Sequence, residues 1–225
     1  ITVGLINQTY KVETKHGDGS HFYLLQRINT EVFKDPNGLM NNITLVAQHL
    51  RQKEYPRQIL EPVPTALGQS CHRTASGEFW RTYNYIENSI SLSQVDTAEM
   101  AYNVAQTFGE YIRFLDDLPP DHLTVTIPNF HDTPRRYSRL FTAYQEARNA
   151  ESWQRLRIAK SWLQKTAHYK FLLKHYLSLS QELRVVHYDT KVNNILLDQK
   201  TRQGCCVIDL DTLMPGTVSY THLRA

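Results

Sequence analysis

Val185-Val186-His187-Tyr188-Asp189-Thr190-Lys191-Val192-Asn193-Asn194-Ile195-Leu196-Leu197-Asp198, followed after six residues by Cys205-Cys206-Val207-Ile208-Asp209-Leu210-Asp211, is the stretch on which the fold turns. Short apolar runs bounded by polar turns read as buried strands or strand-like pieces. Between two of these runs stand His187, Asp189 and Asn194, spaced His-x-Asp-x-x-x-x-Asn. The last run ends in Asp209 and Asp211. In an extended chain, residues two apart point to the same side, so these two carboxylates are expected to face one place together.

This spacing resembles the catalytic loop of the protein-kinase-like phosphotransferases. The resemblance implies phosphoryl transfer from ATP. Such chemistry needs a carboxylate beside the accepting hydroxyl, to orient it and take its proton, and Asp189 fills that place. It also needs Mg²⁺ on the phosphates, held by hard oxygen ligands. The amide oxygen of Asn194 is one such ligand. Asp209 stands where these enzymes carry the aspartate of Asp-Phe-Gly, with Asp211 beside it as a further candidate. Lys191 is placed to reach the γ-phosphate, and His187 to brace the loop from below.

Composition narrows the remaining classes. The 225 residues suffice for one large or two modest domains. A hydrophobic content of 41% and a charged content of 21% are ordinary for a soluble globular chain. The formal net charge of +3 comes without a Lys/Arg block, so neither nucleic acid nor a membrane surface is an expected partner. Three cysteines, Cys71 and the adjacent Cys205 and Cys206, match neither a disulfide framework nor a zinc site. They read as strand-filling thiols in a reducing cytosol, and the expected location is cytoplasmic.

From the beginning, Ile1–Val12 and Phe22–Asn29 read as antiparallel strands around a His16-Gly17-Asp18-Gly19 turn. In a kinase-like N-lobe the loop near Gly4–Thr9 would cover the ATP phosphates, with Asn7 and Thr9 contributing side chains. Arg27 would be the phosphate-facing cation of the third strand. A helix follows from Gly38 to Gln52. It has no Glu before Glu54 to pair with that cation; Asn41 or Asn42 is the candidate to substitute with a hydrogen bond, but both read rather as solvated amides. Further strands run to Phe79–Ile86, where Trp80 and Tyr83 are expected in the core. The resemblance puts the interlobe hinge next, with adenine read by backbone groups around Ile86 and Glu87. Asp96-Thr97-Ala98-Glu99 reads as a capping box that opens a long helix. A second helix starts with Thr133 as cap and Pro134 at its first position. A third is expected over 154–179.

Several stretches carry the resemblance further. The 187–194 and 207–211 motifs are similar to those of the aminoglycoside phosphotransferase and choline kinase superfamily. Gly4-Leu5-Ile6-Asn7-Gln8-Thr9-Tyr10, Leu25-Gln26-Arg27-Ile28-Asn29, Val32-Phe33-Lys34-Asp35-Pro36, Ile127-Pro128-Asn129-Phe130-His131-Asp132-Thr133 and Asp209-Leu210-Asp211-Thr212-Leu213-Met214-Pro215-Gly216 look most like its N-acetylhexosamine 1-kinase group. What this implies is an α+β, bilobed protein-kinase-like fold. A small antiparallel-sheet N-lobe would occupy 1–88 and a mainly helical C-lobe 89–225. The implied reaction uses ATP and Mg²⁺ to phosphorylate the anomeric hydroxyl of an N-acetylhexosamine, a small-molecule acceptor. His131 and Arg135 are candidates to face that acceptor, and Tyr188 to narrow its side of the cleft. Choline, homoserine or an aminoglycoside are the alternative acceptors. A nucleotide-binding pseudokinase is the alternative from another class. Ser219–Ala225 does not continue the family pattern, so the C-lobe is expected to be truncated and this length of chain inactive by itself.

Overall fold

The computed structural model describes residues 6–16, 19–147, 160–166 and 182–217. Strands β1 (Gln8–His16) and β2 (Gly19–Ile28) form an antiparallel hairpin. β2 pairs with β4 (Phe79–Asn84), and β4 with the short β3 (His72–Arg73), giving a four-stranded sheet in the order β1-β2-β4-β3. Period-two alternation splits this sheet into two faces. Leu24, Gln26 and Ile28 of β2 lie opposite Tyr83, Arg81 and Phe79 of β4 on the inner face. Arg27, opposite Trp80, belongs to the outer face.

Helix α1 (Pro36–Gln52) starts where Asp35 accepts a hydrogen bond from the Gly38 N–H at 2.9 Å and Pro36 presets the first turn. Its apolar stripe, Leu39, Ile43, Val46, Ala47 and Leu50, is buried. Helix α2 (Ala98–Phe114) begins one residue later than a capping box on Asp96 requires, because Thr97 Oγ1 takes the Met100 N–H at 3.1 Å. It buries Val104, Thr107, Phe108 and Tyr111. Two small sheets complete this unit. One runs β5-β7-β8, from Ser89–Ser91, Ile195–Asp198 and Gly204–Val207; the other pairs β6 (Leu183–Val186) with β9 (Met214–Thr217). The apolar runs flanking the 187–194 loop are thus strands, as their composition suggests. α1, α2, Tyr83, Ile195, Leu197, Val207 and Leu213 share one core. The architecture is of the α+β class.

The chain divides into two compact units, Ile1–Ile127 with Leu183–Ala225, and Pro128–Glu182. The expected lobe boundary near 88 lies inside the first. In the second unit, α3 (Thr133–Ala147) is capped by Asp132, whose Oδ1 accepts from the Arg135 N–H at 2.9 Å, not by Thr133. Residues 160–166 are helical. The rest of the helix expected over 154–179 lies outside the described residues. No helix among the described residues is long and apolar enough to cross a membrane.

Candidate active site

The loop between β6 and β7 is stitched to the segment after β8. His187, 2% exposed, has Nε2 at 2.9 Å from the Ile208 carbonyl, and its ring meets Phe108 and Tyr111 edge-on. The backbone N–H of Asp189 donates to His187 Nδ1 at 3.3 Å. With Nδ1 an acceptor, Nε2 carries the proton and donates to Ile208, which fixes the neutral tautomer. Burial is the largest influence on this ring and holds its pKa below the ordinary histidine value. Thr212 Oγ1 donates to the His187 carbonyl, and Ile208 N–H to the Asn194 carbonyl at 2.9 Å. The histidine is therefore a brace, as expected.

Asp189 and Asn194 meet directly. The Asn194 amide nitrogen donates to the Asp189 carbonyl at 2.8 Å and to its carboxylate at 2.9 Å. A 3-10 turn, Val192–Asn194, shortens the path between them. Lys191 Nζ stands 2.6 Å from the same Asp189 carboxylate oxygen. Because its nitrogen is committed to Asp189, Asn194 is left with its amide oxygen as the atom to offer a cation.

The two downstream aspartates do not behave as an extended chain predicts. Asp209 has φ +60° and ψ +54°, in the left-handed region, and starts the 3-10 turn Leu210–Thr212. That reversal breaks the alternation and sends the carboxylates apart. Asp209 stays exposed; Asp211 is 2% exposed. A non-glycine residue at such a φ carries strain of order 1–3 kcal/mol, tolerated where the surroundings over-determine it. Tyr188, φ +63°, in the loop between β6 and β7, is a second case. Protein crowded around the Asp209 carboxylate, with the charges of Asp211 and Asp189, pushes its pKa up to about 6 against the pull of Lys191 and Arg81. Surplus negative charge of this kind favours a cation. Asp211 forms an ion pair with Arg81 at 2.6 Å through one oxygen and accepts from the Asn7 amide at 2.5 Å through the other, so it is tied to the sheet.

Arg27 is not brought to this cluster. Strand alternation turns it to the outer face, where it pairs with Glu78 and is 38% exposed. The buried cation on the inner face is Arg81 of β4. Burial alone would lower its pKa, but the Asp211 carboxylate more than offsets this and holds it above the ordinary arginine value. Arg81 Nε donates to Gln26 at 3.0 Å, and the Gln26 amide to Thr9 Oγ1 at 2.9 Å. Asn7 and Thr9 are thus tied to Asp211 and Gln26. Ile86 and Glu87 lie in the connection from β4 to β5, where the Ile86 carbonyl accepts from Ser89 Oγ at 2.7 Å. Arg135 and His131 belong to the second unit, where Arg135 is exposed and His131 packs on Phe130 at 4.1 Å between ring centroids.

Arg81, Gln26 and Asn42 were missed by sequence reasoning. Asn42 is 2% exposed, not solvated. It donates to the Thr124 and Leu213 carbonyls at 2.7 and 2.8 Å and accepts from the Thr124 N–H at 2.8 Å. Period-two alternation on β2 and β4 was the signal available for Gln26 and Arg81; Asn42 had its place on the apolar stripe of α1, beside Ile43.

Among the described residues no three His, Cys, Asp or Glu side chains converge as a metal cluster. An amide and one free carboxylate suit Mg²⁺, which keeps several waters and takes further oxygens from phosphates.

The fold matches solved small-molecule kinases. Amicoumacin kinase hAmiN, in complex with AMP-PNP, Ca²⁺ and Ami, superposes with a TM-score of 0.59 at 14% identity, over 93% of this chain and 58% of its own. An aminoglycoside phosphotransferase from Alicyclobacillus acidocaldarius gives 0.59 at 13%, over 95% and 65%. A microcompartment-associated aminopropanol kinase gives 0.58 at 14%, over 93% and 66%. The chain thus spans about two thirds or less of the length of each of these three. A family model described as the phosphotransferase enzyme family, APH, matches residues 1–220, and with the Asp189–Asn194 loop and the strained Asp209 in place, this chain belongs to that family.

Proposed function

We propose that this chain is the nucleotide- and metal-binding part of an ATP-dependent small-molecule kinase. The reading rests on one observation above the others: the Asp189 carboxylate is held by Asn194 and Lys191 beside an exposed, cation-seeking Asp209. Asn194 and Asp209 would hold Mg²⁺, which when bound neutralises charge on the phosphates. Asn7 and Thr9 would lie over those phosphates, and backbone groups at Ile86 and Glu87 would meet the adenine.

Asp189 acts on the acceptor. Its carboxylate orients the hydroxyl and takes the proton as the oxygen forms its bond to the γ-phosphorus and the bond to the ADP oxygen breaks. Lys191, 2.6 Å away, holds the carboxylate in place. It would also be the cation that reaches the γ-phosphate. The acceptor we propose is the anomeric hydroxyl of an N-acetylhexosamine, supported by the 4–10, 25–29, 32–36, 127–133 and 209–216 stretches. His131 and Arg135 are the acceptor-side candidates, and the protein is expected to work in the cytoplasm.

The test uses the protein encoded by the full reading frame that contains this chain. It is offered N-acetylhexosamines, choline, homoserine and kanamycin with Mg-ATP, and ³¹P NMR locates the new phosphate. The expected result is a sugar 1-phosphate. Asp189→Ala should lower turnover by about 10²–10⁴ while nucleotide affinity stays near wild type. Activity above a few per cent in that variant would remove Asp189 from the role of base. Phosphorylation of another panel member would keep the kinase and replace the acceptor. Mg-dependent nucleotide binding with no transfer would point to a pseudokinase.

A further inference from the structure

A partly buried polar path joins the first strands to the segment after β8. Asn29 N–H donates to Asn7 Oδ1 at 2.9 Å, and the Asn7 amide donates to Asp211 at 2.5 Å. The other Asp211 oxygen meets Arg81 at 2.6 Å. Arg81 continues to Gln26 and Gln26 to Thr9, at 3.0 and 2.9 Å. The side chains of Arg81 and Asp211 are 3% and 2% exposed. Asn7 and Thr9 flank the start of β1, Gln26 and Arg81 are cross-strand partners, and Asp211 is two residues past Asp209.

A buried ion pair returns little net stability, because desolvating two charges costs about what their attraction supplies. What such a pair can supply instead is position. Helix α1 brings no carboxylate toward the sheet; its one buried polar side chain there, Asn42, bonds instead to Thr124 and Leu213. The pair across β4 and the 210–212 turn is therefore the charged tie that sets where that turn sits against the inner face of the sheet.

We propose that Arg81 and Asp211 are positioning residues that hold Asp209 in its left-handed, outward-facing conformation for the metal–nucleotide complex, and that Asn7 links this pair to the loop over the phosphates. The inference rests on the kinase reading above. It assigns Asp211 to holding the turn and not to the metal, and it makes Arg81, rather than Arg27, the arginine on which the Mg²⁺ dependence of nucleotide binding rests.

The experiment measures Mg²⁺-dependent binding of a fluorescent ADP analogue to the same full-frame protein, together with thermal unfolding. Asp211→Asn and Arg81→Met should each raise the half-saturating Mg²⁺ concentration at least tenfold and leave Mg-independent nucleotide binding within threefold. The double variant Arg81→Met/Asp211→Leu replaces the pair by apolar bulk and should recover melting temperature while the Mg²⁺ defect persists. That split separates positioning from packing, and it keeps the test decisive if either single variant fails to fold. Arg81→Lys, which retains the charge but not the guanidinium fork, should recover part of the Mg²⁺ response. Full recovery of Mg²⁺ affinity in the double variant, or wild-type affinity in both single variants, overturns the proposal. Asp209→Ala serves as the reference: if it leaves the Mg²⁺ response untouched, or wild-type protein binds no nucleotide, the kinase reading falls and this inference with it.

Discussion

Asn42→Ala should loosen α1 from the catalytic segment by about 3 kcal/mol. Asn42 sits where water cannot replace it, and makes hydrogen bonds of 2.7, 2.8 and 2.8 Å to Thr124 and Leu213. A net contribution of about 1 kcal/mol per bond gives that figure. The orphaned Thr124 N–H weighs most, because the two carbonyls keep a second lone pair to satisfy elsewhere. Since the chain has two compact units, a global melting curve would blur the effect. Hydrogen exchange resolved by peptide reads it locally, and about 3 kcal/mol corresponds to roughly hundredfold faster exchange for the protected amides of α1. Asn42→Asp sharpens the test. It keeps an acceptor for the Thr124 N–H but sets a charge against two carbonyls, so at pH 7 it should cost more than alanine. Those carbonyls raise the pKa of the introduced carboxyl in the folded state above its unfolded value near 3.9. The folded state then binds the proton more tightly, so the penalty is full above the folded pKa and shrinks as pH falls through it. Exchange in α1 within threefold of wild type for Asn42→Ala, or an aspartate variant no worse than alanine at pH 7, would refute the reasoning.

Two further outcomes follow from buried groups near the site. His187 is held neutral by burial, so the unfolded chain takes up its proton first as pH falls below about 6.5; this contribution to stability is complete above that pH and is lost below it, with a slope of at most about 1.4 kcal/mol per pH unit. Wild type should therefore lose stability faster than His187→Gln between pH 6.5 and 5 in urea titrations, and parallel curves would contradict the buried neutral ring. Gly204 of β8 has no room for a side chain, since a Cβ there would strike Thr107 of α2; Gly204→Ala should cost about 1–3 kcal/mol, and Thr107→Ala in the same chain, which removes Oγ1 and Cγ2 but keeps the Cβ, should recover part of it. A Gly204→Ala variant as stable as wild type would mean that α2 and β8 do not touch at this point.

The elements that were legible in the sequence are those whose pattern is local. The β1–β2 hairpin, α1 and α2 follow from apolar spacing and turn residues within a dozen positions. Caps were placed one residue off because Asp96-Thr97 and Asp132-Thr133 each offer two adjacent cap-formers. Which one bonds to the third N–H onward depends on where the backbone turns helical, and no side-chain rule decides that. Asn42 illustrates a different limit. An amide on the edge of an apolar helical stripe is solvated or buried according to what packs against it, and its partners at 124 and 213 are 82 and 171 residues away.

The site separates the same way. His187, Asp189 and Asn194 form a closed local loop, so their spacing carries their geometry. Asp209 and Asp211 look equivalent because two-residue spacing implies one face only while the chain stays extended; a single positive φ at Asp209 is enough to leave one carboxylate exposed and make the other half of a buried pair. Arg27 fails for the opposite reason. There the strand is regular, and regularity itself decides against it: with Leu24 and Ile28 facing the core, Gln26 must face inward and Arg27 outward. The inner-face cation then has to come from the neighbouring strand, and the residue opposite Gln26 is Arg81. A cation delivered from β4 reaches the 210–212 turn directly, at Asp211, and α1, which carries no carboxylate, takes no part in that pair.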